Sequence, residues 1–218
     1  VPSSFRIARQ LLSKLENETT GEILLDRLHT EIPEHRIKET QTLVSILGDE
    51  VVKEFPWKDK MRPSTDDKIE GVLRRTWKPA LSIVGSDGLP PTANAGNVLR
   101  PYTTLQLSMR IPPMVDAQEA KSAIENALNE NIPYGATVEL DFEEAADGWN
   151  APETSPWLLD AIEKASKQYF RQPPCSISEG GTIPFMAMLG EQFPRAQFVI
   201  TGVLGPKSNA HGPNEFLH

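Results

Sequence analysis

The apolar residues of the chain fall first into helical spacing. Phe5, Ala8, Leu11, Leu12 and Leu15 recur every three or four positions behind Ser3 and Ser4, which can cap, and this predicts an amphipathic helix over about 3–17. Pro33 opens a second helical stretch that carries Ile37, Val44, Leu47, Val51 and Phe55 and is bent or broken near Gly48. Residues 56–67, rich in Pro, Lys and Asp, read as a loop, and 68–77 as a short helix. The run Ala-Leu-Ser-Ile-Val at 80–84 predicts a strand, ended by the turn-prone Gly-Ser-Asp-Gly at 85–88, with a loop over 89–96.

From Thr103 the period changes to two. Leu105, Leu107, Met109 and Ile111 alternate with Thr104, Gln106, Ser108 and Arg110, as in a strand with one buried and one polar face. Pro112 and Pro113 end it. Asp116 and Glu119 then stand as in a capping box before a helix bearing Ala120, Ala123, Ile124, Ala127 and Leu128. Ala136, Val138, Leu140 and Phe142 alternate with Thr137, Glu139 and Asp141 and predict a further strand. Strand, helix and strand of this kind make an α+β sandwich. Residues 147–153 read as a boundary. Beyond it, Pro156 begins a helix capped by Thr154 or Ser155, through Leu159, Ile162 and Tyr169. A Gly180-Gly181 turn, a short apolar helix to about Gln192 and a strand over 197–203 follow.

Composition narrows the function classes. Of 218 residues, 39% are hydrophobic and 24% charged, as in a folded protein rather than a disordered one. A net charge of −8 argues against nucleic acid or an anionic membrane as partner. No apolar run approaches the roughly 18 residues that a membrane span needs. The one cysteine, Cys175, excludes an internal disulfide and suits a reducing cytoplasm; with no base beside it, it reads as a structural thiol.

The richest candidate chemistry lies at 205–215, Gly-Pro-Lys-Ser-Asn-Ala-His-Gly-Pro-Asn-Glu. A loop at a strand end is where a rigid sheet holds functional side chains, and neutral imidazole is the commonest metal ligand. His211 could be such a ligand or a plain surface histidine. Arg110 stands mid-strand, where a guanidinium needs a carboxylate partner if buried; it is either an exposed residue on a solvated face or a bidentate carboxylate clamp. The Glu179-Gly180-Gly181-Thr182 stretch can cap a helix or present that helix start to an anion. Asn97 can be a turn residue. Asp141, Glu143 and Glu144 read as a solvated strand end, His29, His35 and His218 carry no assigned role, and Trp57, Trp77, Trp149 and Trp157 read as packing residues.

Four motifs occur in the order of a known family. Ser-Asn-Ala-His-Gly-Pro-Asn-Glu at 208–215 resembles the C-terminal zinc-ligand loop of the di-zinc peptidase and deacylase family, which includes carnosine dipeptidase, carboxypeptidase G, acetylornithine deacetylase and succinyl-diaminopimelate desuccinylase. Ser-Glu-Gly-Gly-Thr-Ile-Pro at 178–184 resembles that family's substrate loop. Leu-Ser-Met-Arg-Ile-Pro-Pro at 107–113 resembles its substrate-binding arginine strand, and Ala-Gly-Asn-Val-Leu-Arg-Pro at 95–101 the loop before it.

The resemblance implies an α+β lid and dimerisation domain over 1–150, an antiparallel sheet with helices on one face and its first strand missing. A partial α/β zinc-peptidase catalytic domain is implied over 151–218. It further implies His211 as a metal ligand, Arg110, Glu179, Gly180, Gly181 and Thr182 as substrate-binding residues, and Asn97 as a residue reaching a neighbouring subunit's site. The substrate would be a small peptide or an N-acyl amino acid, and the assembly a homodimer through the lid. In the whole enzyme two zinc ions would hold the hydroxide that attacks the scissile amide. The family's other metal-ligand segments are not among these residues, so the expectation is a fragment, inactive alone, with zinc absent or weakly held. The alternative is a non-catalytic lid and dimerisation module.

Overall fold

The computed structural model describes residues 1–53, 55–180, 184–202 and 207–217. Helix α1 (Ser4–Leu12) begins behind Ser3, whose hydroxyl accepts the Arg6 N–H at 3.2 Å. It ends earlier than its periodicity predicts. The last turn tightens through Leu15 N–H to the Leu12 carbonyl at 2.9 Å, and this swings Leu15 inward until it is fully buried. Lys14, on the same turn, donates to the carbonyls of Ala127 at 3.3 Å and of Glu130, beside the end of a distant helix. Those are the carbonyls that a helix C-terminus leaves without partners, and a cation suits them.

After a 3-10 turn (Asp26–Leu28) come α2 (Glu34–Leu47) and the short α3 (Glu50–Lys53), parted where the sequence places the break. Gly48 has φ +58° and ψ −118°, a backbone region open essentially to glycine. Helix α4 (Lys68–Thr76) is capped by Asp67, which accepts from the N–H groups of Ile69 at 2.9 Å and Glu70 at 3.2 Å. On its surface Glu70 takes Arg74 Nε at 2.8 Å and Lys78 Nζ at 2.7 Å.

Strand β1 (Ala80–Asp87) and strand β2 (Thr104–Arg110) pair antiparallel, from Ala80 opposite Arg110 to Asp87 opposite Thr104. The turn expected at 85–88 is instead mostly strand. A bulge between Ile83 and Gly85 leaves Val84 without a cross-strand partner, and the ladder resumes at Gly85 opposite Gln106. Helix α5 (Ala117–Asn129) is capped by Asp116, which accepts from Gln118 and Glu119 N–H at 2.9 and 2.8 Å. Its apolar stripe covers one face of the ribbon. Ile23, Leu28, Val115 and Ala120 form the buried cluster there, with Leu81, Met109, Ile111, Ala123 and Ile124 packed on it. A second cluster, Leu43, Val51 and Val72, joins α2, α3 and α4. The expected fold class holds here: a small antiparallel sheet with helices on one face.

Two predicted strands are not strands. Residues 136–142 keep the alternation of half-buried and exposed side chains, and Lys121 Nζ lies 5.0 Å from the Phe142 ring centroid, yet no ladder forms among the described residues. Side-chain packing satisfies the pattern, but a strand also needs a hydrogen-bonded neighbour. The described part of the 197–203 run behaves likewise. Phe198 sits edge-to-face on Trp149 at 5.1 Å and Gln197 Oε1 accepts the Ser155 N–H at 2.6 Å, without sheet pairing; Val203 lies outside the described residues. Helices α6 (Pro156–Tyr169) and α7 (Pro184–Gln192) form where expected. Ser155 is the cap residue of α6 by position, but its hydroxyl is buried with no partner among the described residues. Trp57 and Trp157 are 40% and 65% exposed, so of the four tryptophans only Trp77 is a core residue outright.

The stretch taken as a boundary is firmly held. Asp147 Oδ1 accepts the Ala117 N–H at 2.8 Å, and Arg36 donates to Asn150 Oδ1 at 3.3 Å and the Ala151 carbonyl at 2.6 Å. Arg36 is itself nearly buried, its charge matched by Glu39 at 2.9 Å.

Leu28 is fully enclosed, so Leu28→Ala removes packed methyl groups and leaves a cavity under the sheet. The expected cost is about 3 kcal/mol by urea unfolding, and a loss below about 1 kcal/mol would contradict the core assignment. Burial pushes the Glu70 carboxyl up, but the hydrogen bonds and charges of Arg74 and Lys78 outweigh it and hold it below its ordinary value. A group depressed in this way contributes stability that is present above its unfolded pKa and is lost as pH falls through the folded one. Glu70→Gln should therefore cost about 1 kcal/mol at neutral pH and flatten the acid limb of the stability profile. An acid limb identical to that of the parent would contradict this.

Candidate functional site

A groove of about 1230 Å³ is lined by β2 along its whole length, by the 140–151 stretch and by Ser176, Ile177, Ser178, Glu179 and Gly180. Its apolar floor comes from α5 through Ala117, Ala120, Ile124 and Leu128. Arg110 is at one end of β2, exposed, and its Nη1 donates to the Gly180 carbonyl. These residues are 70 apart in sequence, and the contact joins the arginine strand to the loop taken for substrate binding. A guanidinium has five N–H donors, so others remain for a carboxylate or carbonyl oxygen. Arg110 is thus an exposed residue that lines the groove and is bonded to the loop.

The loop is pressed closely on the last turn of α4. A Cβ at Gly180 would stand 2.2 Å from the Arg75 carbonyl oxygen, so only glycine fits. Glu179 is exposed, with Oε1 accepting the Gly180 N–H at 3.2 Å. Gly181 and Thr182 lie outside the described residues, as does His218. Asn97 is exposed at a bend and does not line the groove. Asp141, Glu143 and Glu144 are exposed along its rim. Cys175 is an exposed free thiol rather than a packed one.

His211 occupies a tightly wound loop. Lys207, Asn209, His211 and Asn214 all have positive φ, between 55° and 68°, a region that costs non-glycine residues strain and recurs at functional sites. The turn is held by Asn209 Nδ2 donating to the Pro213 carbonyl at 2.7 Å and by His211 N–H donating to Glu215 Oε2 at 3.0 Å. Ser208 is buried at its base. Zinc takes three or four protein donors around one point. Among the described residues no three His, Cys, Asp or Glu side chains converge. The described residues therefore offer one exposed imidazole and do not by themselves make a metal site.

Comparison with known proteins places the fold. No family model matches the chain. The relatives and structural neighbours are dipeptidases and carboxypeptidases of the metallopeptidase class that the motifs resemble, and the fold is that of part of such an enzyme. Cysteinylglycine-S-conjugate dipeptidase of Corynebacterium striatum is 26% identical over 138 residues, which is 63% of this chain and 30% of that protein. An M20 family metallo-carboxypeptidase from Sulfolobus solfataricus superposes with a TM-score of 0.68 at 16% identity, over 99% of this chain and 48% of that one. The dipeptidase Dug1p from Saccharomyces cerevisiae gives 0.64 at 20% identity, over 100% and 45%. Human carnosine dipeptidase 1 gives 0.64 at 19% identity, over 88% and 41%. The chain thus spans less than half of each of these proteins. No helix among the described residues is long and apolar enough to cross a membrane.

Sequence reasoning missed three residues that shape the groove: Arg36, Trp77 and Asp147. Arg36 and Asp147 sit in patterns that read locally as helix surface and as loop, and only their long-range partners reveal them.

Because Gly180 touches the Arg75 carbonyl, Gly180→Ala should push the loop off the end of α4 without unfolding the chain. Limited proteolysis should cut faster within 176–184 while global stability changes by less than about 1 kcal/mol. Unchanged cleavage would contradict the docked loop.

Proposed function

We propose that the chain is the substrate-holding part of a metal-dependent dipeptidase, with Arg110 and the 178–182 loop gripping a small peptide in the groove. The observation that supports this most is the meeting of Arg110 and Gly180 on one wall, in a fold shared with peptidases whose names specify dipeptides. Planar bidentate bonding suits a peptide carboxylate. An N-acyl amino acid carries the same carboxylate and amide and is the other substrate in reach.

His211 is proposed as one zinc ligand, its partners supplied by parts of a longer protein, where two ions are expected. On that reading this chain alone lacks turnover. Residues 1–150 would act as the lid and 151–218 as the returning edge of the catalytic domain. Lid-to-lid contact in a homodimer would carry Asn97 toward the neighbouring site. The single cysteine fits a cytoplasmic protein.

The test is a dipeptide and N-acyl amino acid panel assayed on the full-length protein with zinc. Turnover of at least one dipeptide is expected, and none on any member would refute the proposal. Arg110→Ala should lower kcat/KM about a hundredfold with bound zinc unchanged, the scale of losing a charge-assisted contact. His211→Ala should lose both zinc and turnover. Zinc loss in the Arg110 variant instead would reverse the two roles.

A further inference from the structure

The groove's loop is held at a second point that the reading above does not use. Trp77 is 3% exposed and follows α4 directly, its own N–H bonded to the Leu73 carbonyl at 2.8 Å. Its indole Nε1 donates to Ser178 Oγ at 2.9 Å, across 101 positions of sequence. An indole N–H this deeply enclosed is costly to leave unpaired, so the bond is a strong preference of the fold.

The register of the ribbon explains why the two holds act together. Ala80 lies opposite Arg110, and Trp77 is three residues before Ala80 on the same chain segment. The two donors, one from the entry of β1 and one from the exit of β2, therefore leave the ribbon side by side. They seize acceptors two residues apart, Ser178 Oγ and the Gly180 carbonyl. Between them Gly180 lies flat against the Arg75 carbonyl, with no room for a side chain. Three contacts of different kinds thus bind one short loop to the end of α4 and the ribbon beside it.

We infer that Trp77 is a positioning residue that, through Ser178, fixes the loop on which the Arg110 guanidinium and the substrate depend. This rests on the peptidase reading for its catalytic consequence, though not for the bond itself. Trp77 acts through Ser178 and needs no contact of its own with substrate. It determines where the Gly180 carbonyl stands, and that carbonyl orients the guanidinium. Without the indole bond the loop is held only at Gly180, by Arg110 and the Arg75 contact, and the two halves of the substrate grip lose their spacing.

Two measurements test it. In the 218-residue chain, the Trp77 indole N–H should exchange slowly with solvent by NMR and become fast in Ser178→Ala. Equal exchange in both would overturn the bond. In the full-length protein, Trp77→Phe and Ser178→Ala should each lower kcat/KM about tenfold, mainly through KM. The double variant should be no worse than either single one, because both remove the same bond. Ser178→Thr, which keeps a hydroxyl, should recover most of the loss. Additive effects, or an unchanged kcat/KM in Ser178→Ala, would overturn the positioning role. If the parent protein turned over no dipeptide, the peptidase reading would fall, and the indole exchange would still decide the clamp.

Discussion

A two-stranded antiparallel ribbon is not stable by itself in water, so the groove and all that lines it depend on the apolar cover over one face of β1 and β2. That cover is small: Ile23, Leu28, Val115 and Ala120, widened by Leu81, Met109, Ile111 and Ile124. They come from several separate pieces of chain, the 23–28 stretch, β1, β2 and its exit, and α5, joined by hydrophobic contact. Lys14 on the carbonyls ending α5 and Asp147 on the N–H of Ala117 add polar holds at both ends of the covering helix. With α5 pinned, the ribbon's ends have a fixed direction, and the residues that leave those ends acquire fixed positions.

Chemistry enters where the ribbon's geometry meets the later part of the chain. Arg110 ends β2 and Trp77 stands just ahead of β1, so a loop from beyond residue 151 docks on a rigid edge instead of hanging in solvent. Docking costs the loop its conformational freedom, and close glycine contact plus two hydrogen bonds offset that cost. The result is a basic group set beside a carbonyl, on an apolar groove with an acidic rim. Such a wall can orient a small molecule bearing a carboxylate and an amide.

Local signals were readable wherever neighbours in sequence settle the structure. Ser3 and Asp116 cap where caps are expected, Gly48 breaks the helix it interrupts, and the alternation from Thr104 to Arg110 is a strand. Legibility failed where the deciding partner is remote. The turn signal at Gly85 yielded to a bulge because Gln106 offered a ladder partner, and 136–142 kept its alternation without gaining one. Arg110 was visible as a candidate because a strand arginine is unusual and its flanking motif resembles a known one. Trp77 looked like any packing aromatic, since nothing near it in sequence announces a bond to Ser178. His211 was legible as a loop histidine, but one donor does not define a metal site.

The central claim is that Arg110 and the loop at 178–182 form one substrate grip. A crystal structure of the full-length protein with a non-hydrolysable dipeptide tests it most directly. The account predicts the peptide in the groove, with its carboxylate or amide oxygen within hydrogen-bond distance, about 3 Å, of the Arg110 guanidinium, and the loop still docked beside Trp77. A peptide bound elsewhere, with Arg110 engaged only by Gly180, would contradict it.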